Sequence, residues 1–116
     1  MNRTVYRAID PAVLMESAGD LVVFQSLSQT FLDHAPAIYE QLGAAVAKGD
    51  LAMASKQAHA LKGMTMLIGA TTLTSRLQDI EVAGRAGRPC DLAGLAELFA
   101  LVLEEVGLSM ADEGLA

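Results

Sequence analysis

Residues 24–45 read FQSLSQTFLDHAPAIYEQLGAA, and Phe24, Leu27, Phe31, Ala35, Ile38, Leu42 and Ala45 recur through them at spacings of 3, 4, 4, 3, 4 and 3. That is the period of an amphipathic α-helix, whose apolar side chains return to one face every three to four positions. Asp20 offers a capping carboxylate ahead of the run, and Gly49 a stop behind it. The phase survives Pro36, which removes a backbone donor and crowds the carbonyl of Leu32. The run therefore predicts a long kinked helix, or two helices in line.

The same grammar extends in both directions. Asp10-Pro11 and Gly19 bracket a short opening helix over residues 11–17. Asp50 caps a third helix running to about Leu67, with Gly69 just beyond. Leu73, Leu77, Ile80 and Gly84 form the stripe of a fourth, which ends near Gly87-Arg88-Pro89. Asp91 is the expected cap of the last helix, with Leu92, Leu95, Phe99, Val102, Val106 and Met110 as its stripe. Nowhere do apolar and polar residues alternate cleanly enough for a strand. The expected class is all-α: an up-and-down antiparallel four-helix bundle with a short N-terminal helix, because connections of about two to five residues favour antiparallel neighbours.

Composition sets the outer bounds. At 116 residues, 53% hydrophobic and 19% charged, the chain fits a single domain over residues 1–116 and can bury enough apolar surface to fold. Its longest uncharged stretch, Gly63 to Ser75, is 13 residues and is broken by hydroxyl side chains, too short for the roughly 20 apolar residues of a membrane span. No apolar stretch of a secretory signal follows Arg3 and Arg7. Cys90 is the only cysteine, in keeping with a reducing cytoplasm. A cytoplasmic monomer is expected. The net charge of −6 lies entirely beyond residue 90, where six acids meet no base. Such a surface lacks the clustered lysine and arginine that displace counterions from phosphates, so nucleic acid is not an expected partner.

Few chemistries remain. There are two histidines and no cluster with zinc or calcium spacing, so no metal site is expected. Glycine-rich phosphate loops and nucleophile elbows are also missing from the sequence. The informative stretch is Ala58-His59-Ala60-Leu61-Lys62-Gly63. At about 100° per residue, Ala54, Ala58, Leu61, Thr65 and Ile68 share the inward side of the third helix. His59 points the other way, with Ala52, Ser55, Lys56, Lys62, Gly63 and Met66. Lys62 is one turn along, within reach of an anion on the imidazole. Gly63 costs a helix about 1 kcal/mol against alanine, and on an outward face its use is to admit an approaching partner. Glu81, at the edge of the fourth helix's stripe, has two readings: an exposed i, i+4 pair with Arg85, or the acceptor for the imidazole Nδ1–H that leaves Nε2 a lone pair facing outward. A neutral imidazole so held is a good nucleophile. His34, before Ala35-Pro36, lacks basic or glycine companions and reads as a surface histidine.

These residues resemble the histidine-containing phosphotransfer (HPt) domain over nearly the whole chain: the Ile9-Asp10-Pro11 opening, the long proline-bearing helix, Gly49-Asp50, the His59-Ala60-Leu61-Lys62-Gly63 motif, Ile68-Gly69-Ala70, and Ile80-Glu81. The resemblance implies a phosphorelay intermediate of two-component signalling. His59 would accept a phosphoryl group from a receiver-domain aspartyl phosphate and pass it to another receiver. Lys62 would offset the phosphate charge, Glu81 would orient the imidazole, and Ser55, Lys56, Gly63 and Met66 would meet the partner. The chain itself would need no cofactor, since the Mg²⁺ for transfer would sit on the receiver, and it would have no kinase activity of its own. Partners would be receiver domains of response regulators or hybrid sensor kinases. Met64-Thr65-Met66 departs from the small polar residues more usual in the family at these positions. Two other readings of the motif are a non-phosphorylated helical adaptor for receiver or kinase domains and a plain helical structural module.

Overall fold

Carboxylates open the first three helices. Asp10 accepts from the backbone N–H of Ala12 at 3.1 Å, Asp20 from Val23 at 2.8 Å and Asp50 from Met53 at 3.1 Å. Each satisfies one of the donors that a helix N-terminus leaves free. The computed structural model describes residues 5–115, and residues 1–4 of the segment expected to hold no secretory signal lie outside them. The helices are α1 (Pro11–Ala18), α2 (Leu21–Ala47), α3 (Leu51–Leu67), α4 (Thr71–Arg85) and α5 (Leu95–Leu115), with no strand among the described residues.

The long helix α2 runs as a single element of 27 residues through Pro36. Its length of about 40 Å takes up most of the molecule's 48 Å long dimension. Its buried face holds Phe24, Phe31, Ala35, Leu42 and Ala45, while Leu27 and Ile38 of the expected stripe are half-buried at its edges. α2 packs on α3, α3 on α4, α4 on α5 and α5 on α2, and α1 lies across α2 and α3. Leu61, Leu73, Leu77 and Leu95 have no exposed surface. Each stabilises the fold by roughly 1.5–3 kcal/mol relative to exposure.

The start of α5 differs from the sequence expectation. Asp91 accepts from the N–H of Ala93 at 2.9 Å and closes a turn. Gly94, at φ 74°, reverses the chain before α5 begins at Leu95. Asp91 is therefore a turn residue and Leu92 part of that turn, and residues 86–94 form a longer connection than expected. An Asx turn satisfies Asp91 locally, so the residue no longer has to begin a helix. Further along, Glu105 and Ser109 take buried positions and Met110 is only half-buried. Glu105 Oε1 accepts from the N–H groups of Arg7 and Ala8 at 2.9 and 2.7 Å, tying the N-terminal segment to α5.

Candidate functional site

The seam between α3 and α4 brings the singled-out residues together. Ala54, Ala58, Leu61 and Thr65 are fully buried along α3, which fixes the helix's rotation and turns His59 outward with 70% of its side chain exposed. Across the seam, Glu81 is 4% exposed at its side chain. The imidazole Nδ1 lies 3.2 Å from both of its carboxylate oxygens. The Lys62 ammonium sits 2.8 Å from Oε1 and the Arg85 guanidinium pairs with Oε2. Glu81 faces the imidazole and also pairs with Arg85, but from a buried position rather than the exposed one of the Arg85 reading.

A carboxylate this buried stays ionised only when it is paired and hydrogen-bonded. Chiefly the hydrogen bond from Lys62 holds the Glu81 carboxyl below its ordinary range, against burial, which pushes it up, and His59 adds to the lowering. An ionised Glu81 can only accept, so it favours the tautomer with the proton on Nδ1 and leaves a lone pair on the exposed Nε2. The site can therefore present Nε2 of an imidazole of fixed orientation to a partner arriving from solvent.

Two side chains expected on the open face stand elsewhere. Lys62 is tucked against α4 with 17% of its side chain exposed, held by Glu81 and by Gln78 Oε1 at 2.6 Å. The hydroxyl of Ser55 donates to the Glu81 backbone carbonyl at 2.9 Å. Both lie where the outward face bends into the seam, an edge that a helical wheel without its partner helix does not reveal. Lys56, Gly63 and Met66 are exposed, Met66 by 57%, and nothing lies within 4 Å of the place a Cβ would take at Gly63. An open groove lined by Lys62, Met66, Ala70, Thr74 and Gln78 runs on towards the α3–α4 turn. His34 is exposed on α2. Among the described residues, no three His, Cys, Asp or Glu side chains converge as metal ligands.

Gln78 escaped the sequence reading. Its signal was there: residues 78, 81 and 85 share one side of α4 at helical spacing, so a residue meeting the neighbours of Glu81 could be sought at 78.

The α3–α4 seam of this helical bundle thus holds the exposed imidazole of His59 from behind with the buried Glu81 carboxylate. The family comparison agrees: the Hpt domain matches residues 26–108, from the first turns of α2 well into α5, and the chain belongs to that family. Membership places it among the histidine phosphotransfer proteins of two-component phosphorelays. No curated protein and no solved structure matched the chain. Among the described residues, no helix is long and apolar enough to cross a membrane.

Proposed function

We propose that His59 is the phosphoryl acceptor, taking the group from an aspartyl phosphate of one receiver domain and passing it to another. The observation that carries this is the pairing of an exposed imidazole with a buried, ionised carboxylate at Nδ1. In the transfer, the Nε2 lone pair attacks phosphorus, the P–O bond to the aspartate breaks, and the receiver keeps its carboxylate. The proton stays on Nδ1, so the phosphorylated ring carries a positive charge facing Glu81. The carboxylate thus stabilises charge where it develops, and Lys62 keeps that carboxylate ionised while its own charge lies one turn from the phosphoryl group. The divalent ion needed for transfer belongs to the receiver, and this chain brings no cofactor or kinase activity.

With this reading we propose α2 to α5 as an up-and-down four-helix bundle, one HPt unit working as a cytoplasmic monomer. Supporting it are the ring of helix contacts and the short α2–α3 and α3–α4 connections. The free thiol of Cys90 accords with a reducing setting. Lys56, Gly63 and Met66 form the contact patch for the receiver.

Incubation with a phosphorylated receiver domain tests the reading. The parent chain should acquire acid-labile, base-stable label. His59→Gln should acquire none while keeping its helical circular dichroism, because an outward side chain contributes little to the core. Label retained in that variant, or found on His34, overturns the assignment. A parent chain that binds the receiver without acquiring label is an adaptor instead.

A further inference from the structure

The α3–α4 seam carries a device for placing the carboxylate that the transfer chemistry does not itself use. α4 approaches α3 at Gly84 so closely that a methyl group there would stand 2.7 Å from the Leu51 carbonyl oxygen and 3.1 Å from both Cβ and N of Ser55. No real Cβ tolerates the first of these distances, so one helix would have to move. Gly84 is buried in α4 and has no positive φ. Backbone freedom therefore does not explain a residue that costs a helix about 1 kcal/mol against alanine, whereas the close approach does. At the same crossing, Ser55 Oγ donates to the main-chain carbonyl of Glu81, the residue whose side chain holds His59. Ser55 lies one turn before His59 on α3, and Gly84 just under one turn after Glu81 on α4. The two contacts therefore fix both the spacing of the helices and their register at the level of the imidazole.

We infer that Gly84 and Ser55 are positioning residues for phosphoryl transfer: they set the helix separation at which the Glu81 carboxylate meets His59 Nδ1. This rests on His59 as the acceptor. The present contacts of 3.2 Å to both oxygens stand at the outer edge of ordinary hydrogen-bond length. A further few tenths of an ångström would therefore weaken them steeply. Gly84→Ala forces such a separation. Ser55→Ala adds no bulk and releases only the tie to the Glu81 carbonyl, so its effect should have the same sign and be smaller.

The test reads the imidazole directly, by two-bond ¹H–¹⁵N spectra of uniformly labelled protein, with exposed His34 as the internal reference. The parent should show His59 as the Nδ1-protonated tautomer. Gly84→Ala and Ser55→Ala should retain their helical circular dichroism, show His59 as a tautomer mixture, and leave His34 unchanged. Transfer from a phosphorylated receiver should fall about tenfold in Gly84→Ala, at the lower end of what is lost when the partner orienting a ligating histidine is removed, and less in Ser55→Ala. A folded Gly84→Ala with the parent's His59 nitrogen shifts overturns the proposal. Should Gly84→Ala fail to fold, Ser55→Ala decides alone, and parental shifts in it are equally fatal. A parent that never acquires label on His59 would defeat the phosphotransfer reading, while the nitrogen shifts would still report whether the seam places Glu81.

Discussion

Among the described residues two glutamates are buried, and they behave differently. Glu81 and Glu105 are 3% and 5% exposed. Glu105 is held by main-chain donors, the N–H groups of Arg7 and Ala8. Those partners cannot titrate and cannot leave without unfolding the N-terminal segment. Glu81 is held by side chains: an imidazole, an ammonium and a guanidinium, of which His59 and Arg85 are largely exposed. Burial of a carboxylate therefore does not mark a functional site by itself. What separates the two is whether the groups that neutralise it can meet a second molecule: Glu105 fastens the chain, whereas Glu81 communicates with solvent through His59.

Glu105→Ala would test the comparison most severely. It leaves two main-chain donors without their acceptor, and losing the partner of a buried group costs about 1–3 kcal/mol. The melting temperature should drop by about 10 °C, while the folded fraction transfers at nearly the parent rate. If the folded variant transferred as slowly as a Glu81 variant, the two glutamates would not differ in kind.

Glu81→Ala should do the reverse, lowering transfer by about one to two orders of magnitude, less than the complete loss in His59→Gln. Glu81→Gln keeps an acceptor for the Nδ1–H but not the charge, so it should retain more activity. Acid titration sharpens the contrast. The folded carboxyl of Glu81 lies below its ordinary value of 4.5, so its stabilisation is fully present above that value and is lost as pH falls through the lower folded one. The stability gap between parent and Glu81→Gln should therefore narrow in that acid window. A gap that stayed constant there would show that the ionised state contributes nothing.

Gly63→Gln probes the open side of the same imidazole. With nothing near the Cβ position, the side chain meets no clash and should improve helix propensity by several tenths of a kcal/mol. Melting should hold or rise while transfer from a receiver falls about tenfold, a loss equivalent to about 1.4 kcal/mol of docking. An early melt would mean that the glycine serves packing. A parental rate would put the docking face elsewhere. Met66→Lys should weaken receiver binding in the same assay without unfolding the bundle.

The helices were legible because their signals are local. Period, capping carboxylates and terminal glycines read α1 to α4 nearly to their ends, and the rotation of α3 followed from Ala54, Ala58, Leu61, Thr65 and Ile68. The start of α5 was not legible, because an aspartate before a turn and an aspartate before a helix look the same in sequence. Ser55 and Lys62 were misplaced on the outward face for a different reason. A wheel gives direction about one axis, and only the close approach of α4 at Gly84 converts the edge of that face into an interior. Gly84 itself stood in the fourth stripe as a small residue, with no sign that a main-chain oxygen of α3 lay opposite.

The smallest effect should come from Lys62→Ala. The lysine is one turn from His59, yet its ammonium is already engaged by Glu81 and Gln78, and Arg85 brings a second cation to the other carboxylate oxygen. Removing Lys62 takes away the hydrogen bond that chiefly lowers the carboxyl but leaves Glu81 paired with His59 and Arg85. Arg85, with 69% of its side chain exposed, has the freedom to turn towards an arriving phosphoryl group, and a guanidinium can offer it two parallel donors. A phosphoryl group on His59 would meet solvent, where a neighbouring cation contributes at most about 1 kcal/mol, so transfer should fall only about threefold in Lys62→Ala. Arg85→Ala should behave similarly. The double variant should lose much more than the product of the two, because after either single change one cation still faces the carboxylate and in the double variant neither does. A cycle of the four rates measures that coupling. If Lys62→Ala alone matched Glu81→Ala, the lysine would be the sole support of the carboxylate. If the double variant were merely multiplicative, the cations would act on separate things, and the contrast between Glu81 with its exchangeable partners and Glu105 with its fixed ones would lose its energetic basis.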